Sequence, residues 1–189
     1  DRDVTGVQTC ALPISRGQHA AQLLPGGNAV LLIGGVNRTG FVDTAELFPV
    51  NGSGSTTVLP GTVPGGNVYT SVLLDDGSVL AMCDRSNTAL RFHPDTSSCT
   101  TSTFSATRSL PTMTTLADGR VLLAGGVGGG GVRLTTADIY NPDSNVWTAA
   151  APMATGRSGA SAVLLNDGSV LEVGGFNGTS LDSTERYTP

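Results

Sequence analysis

The chain has 189 residues, 26 of them Gly and 10 Pro; only 13% are charged, all ten basic residues are Arg, and the net charge is −5. An acidic chain without a basic cluster lacks the side chains that neutralise phosphates, which argues against nucleic acid as a partner. No run approaches the ~18 apolar residues of a membrane helix, and the short apolar runs between Gly, Ser and Thr point to many short strands joined by turns.

Residues 1–15 stand apart. Val4–Ile14, VTGVQTCALPI, reads as the codon-by-codon translation of a common sequencing-library adapter. It has no basic flank and its apolar run is broken, so it fits neither a secretory signal nor a membrane span. We treat 1–15 as non-native, expect the natural protein to enter upstream of Arg16, and leave Cys10 out of the cysteine count.

From Arg16 onward one unit recurs. In chain order the predicted strands are His19–Leu24, Val30–Ile33, Thr44–Phe48 and Thr56–Leu59; then Tyr69–Leu74, Val79–Met82, Ala89–Phe92 and Thr100–Phe104; then Thr112–Leu116, Val121–Ala124, Ala137–Tyr140 and Val146–Ala149; and last Ser161–Leu165, Val170–Val173 and Thr184–Tyr187. We call the four strands of a unit A to D; the fourth unit has no D. Leu116–Gly126 (LADGRVLLAGG) is repeated at Leu165–Gly175, more loosely at Leu24–Gly35, and in altered form at Leu74–Asp84. A four-strand repeat of 42 to 49 residues is the spacing of a propeller blade. Asp76-Gly77, Asp118-Gly119 and Asp167-Gly168 suit two-residue hairpin turns between A and B, with Gly27-Asn28 in the first copy. Strand B is apolar at consecutive positions, Glu172 excepted, as in a sheet packed on both faces.

These residues resemble the Kelch family, whose repeat has four hydrophobic residues, a glycine doublet, an acid and a Tyr in the next strand, and a Trp soon after. The third unit carries Val121–Ala124, Gly125-Gly126, Asp138, Tyr140 and Trp147. The fourth carries Gly174-Gly175, Glu185 and Tyr187, and the first Gly34-Gly35, Glu46 and Phe48. The second departs: Cys83-Asp84 replaces the doublet, Leu90 the acid, and Cys99 falls where Trp147 lies. The resemblance implies an all-β Kelch-type propeller fragment over 16–189, with blades at about 16–60, 65–105, 108–152 and 157–189. Each is a four-stranded antiparallel sheet, the fourth incomplete, and the remaining blades of a longer chain are expected partners. The apolar B strands, Tyr140, Tyr187, Trp147 and the glycine doublets should be the most buried positions.

The same alignment places Cys83 and Cys99 at opposite ends of a blade, roughly 15 Å apart. A disulfide needs Cα atoms within about 7 Å, so we expect two separate thiols.

Residues that could carry chemistry are few. His19 and His93 fall at different blade positions and do not form a metal pair, and the resemblance makes Arg16-Gly17-Gln18-His19 a structural pattern of the blade head. Gly128–Gly131 is followed by neither Lys nor helix, so it is a loop rather than a phosphate cradle. No cofactor or metal is expected. Two enzymatic relatives remain as alternatives, with a site completed by blades outside this chain: galactose-oxidase-like copper oxidases, for which no Tyr-His pair is present, and Kelch-type sialic acid epimerases, whose Arg-rich axial pocket is compatible with Arg108 and Arg157.

The reading favoured here is a non-catalytic binding module. In a propeller the B–C and D–A loops gather on one face and vary without disturbing the core. They hold Asn37, Arg38, Arg85, Asn87 and Asn177, with Arg108 and Arg157 at the blade heads. The arginines either clamp a carboxylate, from a protein or a carbohydrate ligand, or brace the strand C acid. Export from a bacterial cell is expected from the absent Lys, the Ser/Thr content and family habit. The sequons at Asn37, Asn51 and Asn177 do not decide it.

Overall fold

The structure, a computed structural model, describes residues 16–50, 57–59 and 68–189. The adapter-like segment, Asn51 and Asn67 lie outside the described residues. The first blade holds β1 (Ala20–Leu23), β2 (Ala29–Ile33), a small hairpin of β3 (Val36–Asn37) and β4 (Gly40–Phe41), β5 (Ala45–Pro49) and β6 (Thr57–Leu59). The second holds β7 (Val68–Leu73), β8 (Val79–Cys83), β9 (Ser86–His93) and β10 (Ser98–Arg108), and the third β11 (Thr112–Thr115), β12 (Val121–Ala124), β13 (Ala137–Asn141) and β14 (Val146–Ala150). The fourth holds β15 (Ser161–Leu164), β16 (Val170–Val173) and β17 (Thr184–Tyr187). The blades are antiparallel sheets in the orders β1-β2-β5-β6, β7-β8-β9-β10, β11-β12-β13-β14 and β15-β16-β17. The only helical turn among the described residues is a 3-10 turn at Gly129–Gly131. The β3–β4 hairpin was not foreseen; it forms because the Asn37 side chain accepts the N–H groups of Thr39 and Gly40.

Successive A strands, β1, β7, β11 and β15, lie side by side along the inner wall of the arc. The apolar core is divided among the blade junctions. Leu31 and Ile33 meet Val79, Ala81 and Phe92; Leu80 and Met82 meet Val121, Leu123 and Tyr140; Leu122, Ala124 and Ile139 meet Val170. Side chains alternate across a strand, so a B strand between two blades serves both and must be apolar throughout. Fully burying one such Leu or Val is worth about 1.5–3 kcal/mol.

Several expected burials are corrected by the structure. Val173 is 42% exposed and Leu171 only half-buried, because both point away from blade three to a side on which no described blade packs. Tyr187 is half-buried on the last strand of its sheet, and Gly174-Gly175 are half-buried for the same lack of a following blade. Trp147 is half-buried on outer strand β14, with its indole N–H on Ser102 and its ring against Phe104 and Tyr140.

The A–B turns also differ from the two-residue form. Leu116 N–H bonds Arg120 C=O and Gly119 N–H bonds Leu116 C=O, with φ positive only at Gly119. This is a three-residue loop, a type I turn closed by a left-handed glycine. Asp118 keeps φ negative and its carboxylate accepts the Arg120 N–H; Asp76 and Asp167 do the same for Ser78 and Ser169.

Cys83 and Cys99 are both free. Cys83 is fully buried and burial pushes its thiol up to about 11. Cys99 lies opposite Phe92 in the β9–β10 ladder, at the far end of the sheet as expected.

Candidate functional site

The face carrying the B–C loops is built on the blade heads. In three of the four blades the head is an arginine whose guanidinium is buried. Arg16 Nη1 donates to the carbonyls of Gly34 and Thr44, and Nη2 reaches Glu46. Arg108 repeats this with Gly125 (3.1 Å), Thr136 (3.2 Å) and Asp138 (2.7 Å). Arg157 repeats it with Gly174 (2.6 Å), Ser183 (3.2 Å) and Glu185 (2.7 Å). One planar fork thus ties the first doublet glycine, the residue before strand C and the strand C acid, which suits a guanidinium and not an ammonium. Burial pulls the Arg108 pKa down against the opposing pull of Asp138. For Glu185, burial works upward, yet Arg157 and the N–H groups of Ala154 and Thr155 outweigh it and hold the carboxyl below its usual range.

Arg108 and Arg157, considered above as ligand clamps, are therefore in the core: 0% and 1% exposed, with both Nη atoms of each bonded inside the protein and the Arg157 Nε buried without a partner among the described residues. Bracing describes them, because a guanidinium filled by two carbonyls and a carboxylate has nothing left at the surface.

The glycine doublet follows from the same packing. The two residues take φ of 63° and 103° in blade one, 65° and 101° in blade three, and 64° and 95° in blade four. A Cβ on Gly126 would stand 2.7 Å from the Ser109 carbonyl oxygen, and one on Gly35 2.6 Å from that of Gly17. Blade two solves the corner differently. Its B–C connection is only Asp84-Arg85, with Arg85 at φ 52° and its Nε 3.7 Å from the Asp84 carboxylate. The strand C acid is replaced by Leu90, buried in the apolar core between blades one and two, and the sequence has no Arg between Arg38 and Arg85, where the head of the second unit falls. Acid, arginine and doublet are lost together.

That short connection opens a hollow of about 440 Å³ between blades two and three, lined by Arg85, Thr107, Ser109, Leu110, Val127, Gly128 and Gly129. Arg85 is strongly exposed. Leu110 is 46% exposed and held at φ 53°. It occupies the third position of the blade head, where Gln18 (φ 54°) and Gly159 (φ 60°) stand in blades one and four. A leucine costs roughly 1–2 kcal/mol in this conformation, and it is turned outward. On the blade-four side, the Arg133 guanidinium lies over the Phe176 ring at 4.9 Å, joining the B–C loops of blades three and four.

Of the candidate side chains named from the sequence, Arg85 lines this hollow, together with Val127, Gly128 and Gly129 of the blade-three B–C loop. Arg38 is exposed at the tip of the β3–β4 hairpin, whose turn the Asn37 side chain closes; Asn87 is exposed on β9 and Asn177 in the blade-four loop. Leu110 and Ser109 were not marked in advance. The available signal was that the position equivalent to Gly159 carries a bulky apolar residue. Among the described residues no three His, Cys, Asp or Glu side chains gather as metal ligands would, and no helix is long and apolar enough to cross a membrane.

Radially arranged four-stranded sheets with their A strands innermost define a β-propeller arc. Residues 114–154 match the family model described as the Kelch motif, the span of the third blade in which every element of the repeat is present. Among solved structures the chain is similar to the one titled "Structure of YjhT", with 16% identity and a TM-score of 0.67, covering 85% of this chain and 59% of that one. The chain therefore spans about three fifths of the structure it matches, and the likeness is one of fold.

Proposed function

We propose that this chain is a non-catalytic binding module whose contact surface is the B–C loop face, with the hollow between blades two and three as its centre. The supporting observation is the pairing of an exposed cation, Arg85, with an outward, conformationally strained Leu110 at one concavity. An arginine at the rim of an apolar hollow fits a carboxylate attached to an apolar body. Because Leu110 and Val127 supply much of the lining, a peptide segment with an acidic group beside an apolar side chain fits better than an acidic sugar. The reading extends to an exported protein, supported by the composition noted above.

The test is an array of acidic and neutral peptides beside one of acidic glycans, probed with the wild-type chain, Arg85→Ala and Leu110→Gly. Capture of acidic-apolar peptides, lost in both variants while thermal stability is kept, is the expected outcome. Capture indifferent to Arg85 and Leu110, or confined to acidic glycans, overturns this reading.

A further inference from the structure

A second concavity lies between blades three and four, away from the hollow just described. It is about 130 Å³ and is lined by Leu122, Ala124, Ala137, Met153 and Tyr187 together with Glu172 and Glu185. Glu172 is out of pattern. At its position in strand B the other blades carry Leu32, Ala81 and Leu123, yet here a carboxyl is 3% exposed. Its Oε1 accepts the Thr112 hydroxyl from β11, and its Oε2 has no partner. Directly across the ladder stands Glu185, whose carboxylate is taken up by Arg157 and by the N–H groups of Ala154 and Thr155. Arg186, which also lines the cavity, pairs with Asp167. The neighbouring charges are therefore paired, Arg157 with Glu185 and Arg186 with Asp167, and one buried carboxyl oxygen of Glu172 is left without a hydrogen-bond partner among the described residues. An uncompensated group of this kind costs stability, and each of the other three copies avoids it with a hydrocarbon.

We infer that this cavity is a site for a small aliphatic amine or a comparable primary ammonium group, its nitrogen donating to Glu172 Oε2 and its hydrocarbon body packing on Leu122, Met153 and Tyr187. An ammonium supplies the donor and the charge that Glu172 lacks, and the remaining wall is apolar. Thr112 and Glu185 are engaged, Arg157 is committed through both Nη atoms while its buried Nε has no partner among the described residues, and together they set the orientation of the two carboxyls.

The probe is n-butylamine, with n-butanol as the uncharged match, followed by calorimetry and by the Met153 methyl resonance. The expected result is saturable butylamine binding that shifts the Met153 methyl, with butanol and the Glu172→Gln variant each weaker by about tenfold or more, the loss of one charge-assisted hydrogen bond. Glu172→Leu, which restores the residue type of blades one and three, should abolish amine binding and raise the thermal midpoint. It keeps the test meaningful if the glutamine variant folds poorly. Equal binding of butylamine and butanol, undiminished binding by Glu172→Gln or Glu172→Leu, or no saturable shift in the wild-type chain overturns the assignment.

Discussion

The strongest consequence of the blade-head geometry concerns Arg108 and Asp138. Their side chains are 0% and 2% exposed and 2.7 Å apart. Arg108 also donates to the Gly125 and Thr136 carbonyls, while Ser105 donates to Asp138 through its N–H and hydroxyl. Removing one partner of such a pair leaves an uncompensated buried charge, at about 3–5 kcal/mol. That is a large part of the 5–15 kcal/mol by which an ordinary domain is stable. Blade two shows a corner with Leu90, buried in the apolar core, in the acid position. The variants Arg108→Asn and Asp138→Leu should therefore each lose about 3–5 kcal/mol, while the double variant loses scarcely more than one of them. The coupling is then about 3–5 kcal/mol, at or above the top of the range that neighbouring residues show. Urea unfolding followed by far-ultraviolet circular dichroism on the four proteins measures it. Losses that add to within about 0.5 kcal/mol would refute the idea that arginine and acid act as one unit.

Gly126→Ala places a Cβ 2.7 Å from a backbone oxygen at φ 101° and should cost at least about 2–3 kcal/mol, whereas Gly159→Ala, in open space at φ 60°, should cost only about 1 kcal/mol; parallel melts of the two compare clash with strain. Leu123→Ala, in the sealed junction of blades two and three, should lose about 2–5 kcal/mol, and Val173→Ala on the open side of blade four less than about 1 kcal/mol. Burial raises the Glu172 carboxyl above the ordinary glutamate range, with Thr112 and Arg157 opposing and Glu185 adding to the rise. The unfolded chain therefore gives up this proton first. Stability should fall as pH climbs from the ordinary glutamate range towards the raised folded value, and Glu172→Leu should flatten that slope in unfolding curves taken from pH 4 to 8; an unchanged slope would count against the raised value.

The strands were legible in the sequence because their signals are local. Val121–Ala124 and, Glu172 excepted, Val170–Val173 are apolar runs bounded by an Asp-Gly turn and a Gly-Gly corner, and four registered copies give the propeller without reference to any distant contact. The doublets too could be read as sites of close approach, since only glycine accepts both the left-handed backbone and a carbonyl under 3 Å away. Tertiary structure alone decided which side chains those strands place where. Arg108, Arg157 and Arg85 look alike in sequence. The first two are drawn into the core by an acid three strands' worth of chain away and by carbonyls that only the closed corner brings together, and Arg85 is left outside because it stands in the B–C connection and not at a blade head. The exposure of Val173 beside the burial of Val170, and the isolation of the Glu172 carboxyl, likewise depend on what the neighbouring blade presents. Pairing across a junction is a property of two repeats packed together, and no single repeat carries it.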